Sequence, residues 1–170
     1  MNIVKGLVRK TYPTWNKVYR VSFSIIVNKL PHAQWANVIH FTTGGNNGVY
    51  GNRNPAVWIN KRFQGISIVS AVSGNNYWRD YKISFGKQYD ITIQQSKQNG
   101  KYWYEILINN ILRLRVHNTK PIIFSNVKEY ISDPWNFSFT SDLGTIFNLK
   151  VKSKGDKNGE LLQYHTSLAI

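Results

Sequence analysis

Apolar residues recur at every second position through most of this chain, and that period restricts it to strands. Tyr19, Val21, Phe23, Ile25 and Val27 alternate with Arg20, Ser22 and Ser24. Successive side chains of a strand point to opposite faces, so this segment reads as a strand with one face on a core. The same pattern runs through Trp35–Thr43, Ala56–Asn60, Ile66–Val72, Tyr89–Gln95, Tyr102–Ile108, Leu112–His117, Val127–Ser132 and Thr145–Lys152. Clusters of Gly, Asn, Pro and Asp separate these runs. No amphipathic helix is predicted, and many short strands with polar turns predict an all-β antiparallel sandwich or barrel.

Two hairpins can be placed in register from turn chemistry. Asn99-Gly100 suits a two-residue type I′ turn, which faces Ile93 to Ile106 and Ile91 to Ile108 on one apolar side. At the next connection a three-residue loop ending at Ile111 is preferred over the pair Asn109-Asn110, because it sets Leu114 rather than Arg113 against Ile106. That choice also pairs Glu105 with Arg115 and Trp103 with His117 on the outward side, as a polar ladder more in keeping with a solvated face than with a site. In the last strand Phe147, Leu149 and Val151 point one way, while Asn148, Lys150 and Lys152 form a small basic face that Lys154 continues.

The 170-residue length predicts one β-sandwich domain over residues 1–152, followed by a linker and C-terminal tail over 153–170. No apolar run is long enough for a membrane span, and the first residues lack a signal-peptide pattern, so a mature or cytosolic chain is expected. Cysteine is absent, which excludes disulfides and thiolate chemistry. The formal net charge of +14 favours anionic partners: acidic or sulfated polysaccharide, nucleic acid, an acidic membrane face or mineral.

Catalytic patterns are missing. Glycoside hydrolysis needs two carboxylates flanking the scissile bond, but Asp80, Asp90, Glu105, Glu129, Asp133, Asp142, Asp156 and Glu160 are scattered. His32, His40, His117 and His165 are isolated, without zinc-binding spacing. The Gly-rich stretch GGNNGVYGN neither ends in Gly-Lys-Ser/Thr nor opens a helix, so it is no phosphate loop. The chain is expected not to be an enzyme, with no catalytic residues and no cofactor.

A recognition surface remains. Three segments read as loops that combine amides or cations with aromatic rings, the mixture that suits a sugar's hydroxyl rim and C–H face or a stacked base. They are Gly44–Pro55 with Asn47 and Arg53, Gly74–Tyr81 with Asn76 and Trp78, and Ser132–Phe137 with Trp135. The first is long for a hairpin connection, as functional loops often are.

The run from Tyr19 to Phe41, its continuation NVIHFTTGGNNGVYGNRNPAVWIN, then SAVSGN, KQYDITIQQSKQNGKYWYEILIN, HNTKP and NVKEYISDPW resemble a concanavalin A-like, laminin-G-like jelly-roll module of secreted invertebrate matrix and lectin-like proteins. The resemblance covers roughly Tyr19 to Lys152. It implies a two-sheet antiparallel jelly-roll sandwich with about six or seven strands in each sheet, and an extracellular lectin-like or matrix-binding role. Gly51-Asn52-Arg53-Asn54-Pro55 departs from the expected Gly-Asp-Arg-aliphatic-Pro, which removes a carboxylate and with it the ground for a calcium role, and a cysteine expected near Ile68 to Ser70 is missing. The galactoside pattern of galectins also fails, since Thr42 and Lys61 stand where that pattern has Asn and Glu.

The expected function is therefore a non-enzymatic carbohydrate-binding module favouring acidic glycans. The expected ligand-binding residues are His40, Asn47, Arg53, Trp58, Asn60, Asn76, Trp78 and Trp135. Two alternatives use the same charge: a structural matrix or adhesion protein holding acidic polymer or mineral, and a nucleic-acid- or membrane-active protein.

Overall fold

The period-two segments become strands of two sheets in a computed structural model that describes residues 3–154. In chain order the strands are β1 (Val8–Trp15), β2 (Val18–Val27), β3 (Trp35–Thr42), β4 (Ala56–Asn60), β5 (Gly65–Val72), β6 (Asn75–Lys82), β7 (Gln88–Gln98), β8 (Lys101–Ile108), β9 (Ile111–Asn118), β10 (Phe124–Ile131), β11 (Phe137–Ser138) and β12 (Gly144–Lys154). The first sheet runs β1-β10-β3-β4-β5-β6, with short β11 beside β3, and the second runs β12-β2-β7-β8-β9. All pairings are antiparallel except that of β11 with β3.

The alternating apolar residues meet between the sheets. Val21, Phe23 and Ile25 of β2 and Ile91 and Ile93 of β7 face Ile39 and Phe41 of β3, Val57 and Ile59 of β4, and Ile66 and Ile68 of β5 in one core. Each such apolar side chain contributes about 1.5–3 kcal/mol by leaving water. Trp15 anchors one end, with its ring centroid 5.1 Å from Phe41 and 5.2 Å from both Tyr12 and Tyr19. Tyr104 and Ser70 share a 2.8 Å hydrogen bond between the sheets.

Several expectations are corrected. Val8–Trp15 forms an edge strand that the periodicity missed, and Gly74–Tyr81, read as a loop, is largely strand β6 at the opposite edge. The second sheet has five strands, fewer than the resemblance implied. The β8–β9 connection is the two-residue turn Asn109-Asn110, both at positive φ (53° and 61°), as a type I′ turn requires. A bulge then leaves Arg113 without a partner residue, because Leu112 pairs with Leu107 and Leu114 with Ile106. Beyond it the register is the expected one, including Glu105 with Arg115 and Trp103 with His117. Strand β12 continues to Lys154, past the expected boundary at 152, and the rest of the expected tail lies outside the described residues.

Candidate functional site

The outer face of the first sheet gathers aromatic residues. Val57 and Ile59 of β4 enter the core, so Ala56, Trp58 and Asn60 point outward. Ala56 and Trp58 form a separate outer cluster with Val69 of β5, against which Trp35 and Trp78 pack. The rings continue across the sheet as a ridge. Trp35 meets Trp78 edge-on at 5.3 Å, and Trp78 lies 5.8 Å from Trp58 with the planes 2° apart. His40 is 5.6 Å from both Trp58 and Trp135, and Trp135 is 5.8 Å from Tyr130.

The loop after β3 places a cation on this ridge. Thr42 Oγ1 starts the turn by donating to the Gly45 carbonyl at 2.6 Å while accepting from the amides of Gly44 and Gly45 at 3.0 Å. Asn52 ties the middle, donating to Asn47 Oδ1 at 2.6 Å and accepting from Thr43 Oγ1 at 2.8 Å. Gly51 has φ 96°, and a Cβ there would stand 2.6 Å from Phe124, so this position needs glycine. Asn76 of β6 reaches across to the Gly48 carbonyl at 3.1 Å, and the cis peptide Asn54-Pro55 returns the chain to β4. Arg53 then lies with Cζ 5.4 Å from the Trp58 centroid and 5.9 Å from that of Trp78.

The electrostatics of Arg53 are unusual for a half-buried arginine. Its Nε donates to Asn46 Oδ1 at 3.1 Å and its Nη2 to the Asn46 carbonyl at 2.8 Å. No carboxylate lies within ion-pair distance of it among the described residues. Burial pushes the Arg53 pKa down, and the charge of Asp133 opposes that shift. A partly desolvated cation with no carboxylate at ion-pair distance carries a cost that an anionic ligand would relieve.

A buried ion pair stands behind the ridge. His40 and Asp133 are both 0% exposed in their side chains, and His40 Nδ1 lies 2.8 Å from Asp133 Oδ2. His40 Nε2 lies 2.6 Å from the Asn52 carbonyl. Both ring nitrogens therefore face oxygen acceptors, an arrangement satisfied by the doubly protonated imidazolium. Burial works against the Asp133 carboxylate, but the hydrogen bond and charge of His40, with the donors of Asn136, hold its pKa below the usual value. The pair joins the turn carrying Trp135 to the loop carrying Arg53. It is not a hydrolase dyad, because the nitrogen that would activate a nucleophile is engaged by a backbone carbonyl.

The eight residues singled out in the sequence divide by position. Arg53, Trp58, Trp78 and Trp135 converge on the ridge, where Trp135 is 44% exposed and Trp58 only 3%. His40 lies beneath the ridge. Asn60 is also buried, donating to Ser67 Oγ at 3.1 Å and accepting from Gln34 Nε2 at 2.9 Å, so its amide holds strands together. Asn47 and Asn76 shape the loop. Two ridge residues escaped the sequence reading: Trp35, and Asp80, which accepts from Trp78 Nε1 at 2.9 Å and from Ser67 Oγ and so fixes the indole. The parity of β6, which puts Trp78 and Asp80 on one face, was the signal for Asp80, had that segment been taken as a strand.

Asp133, the acid with most claim to a metal, has both oxygens taken up by donors from His40, Trp135 and Asn136. Among the described residues no group of three His, Asp or Glu side chains could hold a metal ion, and no helix is long and apolar enough to cross a membrane.

No family model matches the chain, and no curated protein matches it in sequence. Solved structures do resemble it. The receptor binding domain of botulinum neurotoxin D superposes with TM-score 0.55 at 14% identity, over 91% of this chain and 36% of that one. The chain thus spans about a third of the neurotoxin domain. A heptameric SAP-like pentraxin from Limulus polyphemus gives TM-score 0.53 at 15% identity, over 85% of this chain and 67% of that one. The fold is a concanavalin A-like jelly roll. A CBM40 module of a Ruminococcus gnavus sialidase, bound to α2,3-sialyllactose, gives TM-score 0.50 at 11% identity, over 87% of this chain and 89% of that one.

Proposed function

We propose that this chain is a non-catalytic carbohydrate-binding module that takes an acidic sugar on the aromatic ridge of its first sheet, acting outside the cell. The observation carrying the reading is the position of Arg53, over two nearly parallel indoles and without an ion-pair partner among the described residues. The guanidinium supplies paired donors to a carboxylate or sulfate, and Trp78 and Trp35, both partly exposed, supply an apolar platform for ring C–H groups. The loop is already organised by its own hydrogen bonds, so binding orders few groups. The sialyllactose held by one fold neighbour is an acidic glycan of the kind this chemistry suits.

The test is a glycan array with neutral, sialylated, uronate-containing and sulfated sugars, read at low salt and at about 0.5 M, where exposed charges are screened over a few ångströms. The expected result is selective binding of acidic sugars that survives the salt. That binding should be lost in Arg53→Ala and Trp78→Ala, with the unfolding transition of each variant intact. Unchanged binding by both variants would move the site off the ridge.

A further inference from the structure

The outward face of the second sheet carries chemistry that the ridge does not use. Strand register lines up Lys152 of β12, Arg20 of β2, Gln94 of β7, Glu105 of β8 and Arg115 of β9 in one row. Lys150 stands on the same side of β12, two residues from Lys152 and opposite Ser22. With neighbouring strands about 4.8 Å apart, a row across these strands spans roughly 19 Å. Its only acid, Glu105, is answered from within: Gln94 Nε2 donates to it at 2.7 Å, and Arg115 Nε lies 3.4 Å away. Gln94 is 2% exposed and Glu105 6%, so this middle is a fixed polar spine. Asp90 lies four residues from Gln94 on β7, near the other end of the sheet and bonded to Ser24 and Gln88. Lys150 and Lys152 are exposed at the β12 end, and no carboxylate lies within ion-pair distance of either among the described residues.

We infer that this face is a second binding surface, independent of the Arg53 site, for a linear sulfated or carboxylated polysaccharide lying across the strands. Charge complementarity argues for the polyanion, since the row carries Lys150, Lys152 and Arg20 toward one end and Arg115 at the other, with its one carboxylate already satisfied. The aromatic residue of the face argues for a polysaccharide over a single-stranded nucleic acid. Trp103 is flanked by Arg115, with Cζ 4.7 Å from the ring centroid, and by the His117 ring at 5.4 Å. A base gains affinity by stacking on such a ring, and the Arg115 guanidinium already occupies one face of this one, whereas sulfate groups need only point charges. The two faces point away from each other, so one chain holds two glycans at once, one by shape and one by charge.

The test measures affinity for dextran sulfate, across a salt series, of the wild type and of two doublets that remove equal charge. Lys150→Glu/Lys152→Glu alters the proposed face, and Lys82→Glu/Lys87→Glu alters exposed lysines elsewhere. The expected result is a tenfold or greater loss and a flatter dependence of log affinity on log salt for the first doublet, with less than a threefold loss for the second. The milder Lys150→Gln/Lys152→Gln should fall between, which guards against a folding defect in the charge reversal. Equal losses from both doublets would make net charge the whole effect and overturn the assignment, as would no loss from the first. Tighter binding of single-stranded DNA than of dextran sulfate at matched charge would overturn the choice of polysaccharide. Retention of acidic-sugar selectivity by the first doublet would separate this face from the ridge.

Discussion

The two outward faces invert each other. On the first sheet the charged pair, His40 and Asp133, is buried, with the rings of Trp58 and Trp135 against His40, and the ridge continues through Trp78 and Trp35, which like Trp135 are partly exposed. On the second sheet the rim carries charges, Lys150, Lys152 and Arg115, while Trp103 is flanked by Arg115 and His117. Charges sunk in a low dielectric interact strongly and are screened little by salt; charges at the surface are weak and salt-labile. The first face is built to hold a shape and the second to hold a field.

Truncation gives the largest expected contrast. Trp58→Ala should lower the unfolding free energy by about 3–5 kcal/mol, because Trp58 is 3% exposed and supports the ridge. Trp103→Ala, at a partly buried position on the outward face, should cost less, about 1–2 kcal/mol. Urea unfolding of both variants checks this, and equal losses would break the contrast between the faces.

Removing one buried charge comes next. Asp133→Asn leaves the His40 imidazolium facing a neutral amide and should cost about 3 kcal/mol. The depressed pKa of Asp133 fixes the sign of the pH effect. Its ionised form contributes stability that is fully present above the ordinary carboxylate value of about 3.9 and is lost as pH falls through the lower folded value. The difference in stability between wild type and variant should therefore shrink on acidification below about pH 4. A constant difference would mean that the pair is not ionised in the folded protein. On the second sheet Glu105→Gln keeps the volume and the Gln94 contact, and should cost only about 1 kcal/mol by the same urea measurement.

Within the first sheet, the contrast between centre and edge also decided what the sequence disclosed, whereas both edges of the second, β9 and β12, keep an alternating apolar face and were legible. Central strands β2, β3, β4, β5, β7 and β8 bury one or both faces, so their apolar residues alternate or run together and were legible. Edge strands β1 and β6 bury little: VRKTYPTW and NNYWRDYK offer few core residues, and Pro13 in the first is tolerated only because an edge strand leaves backbone donors unpaired. Arg53, Trp58 and Trp78 were each legible as chemistry, but their convergence depends on β6 pairing with β5, which the edge position hid. The His40–Asp133 pair joins residues 93 apart in the chain, and no local pattern marks such a contact. The β8–β9 turn failed for a different reason, since a two-residue turn plus a bulge leaves the same register as a three-residue loop.

The smallest expected stability effects come from the two arginines, and their signs should differ. Arg115 is 38% exposed in its side chain, 3.4 Å from Glu105 and over the Trp103 ring, so Arg115→Ala should cost no more than about 1 kcal/mol. That cost should shrink as salt rises from about 0.05 to 0.5 M, because much of it is surface electrostatics. Arg53 also has a ring contact and two hydrogen bonds to Asn46, but its charge is partly desolvated without an ion-pair partner among the described residues. Arg53→Ala removes that desolvation cost along with the contacts and should leave stability unchanged or slightly raised, at any salt concentration, while acidic-sugar binding is lost. Chemical denaturation of both variants across the salt series measures the difference. A salt-sensitive loss of stability in Arg53→Ala equal to that of Arg115→Ala would mark Arg53 as another structural arginine. A neutral or raised stability with lost binding would mark a cation kept for its ligand at the expense of the fold, the trade expected where a site is prepared before its partner arrives.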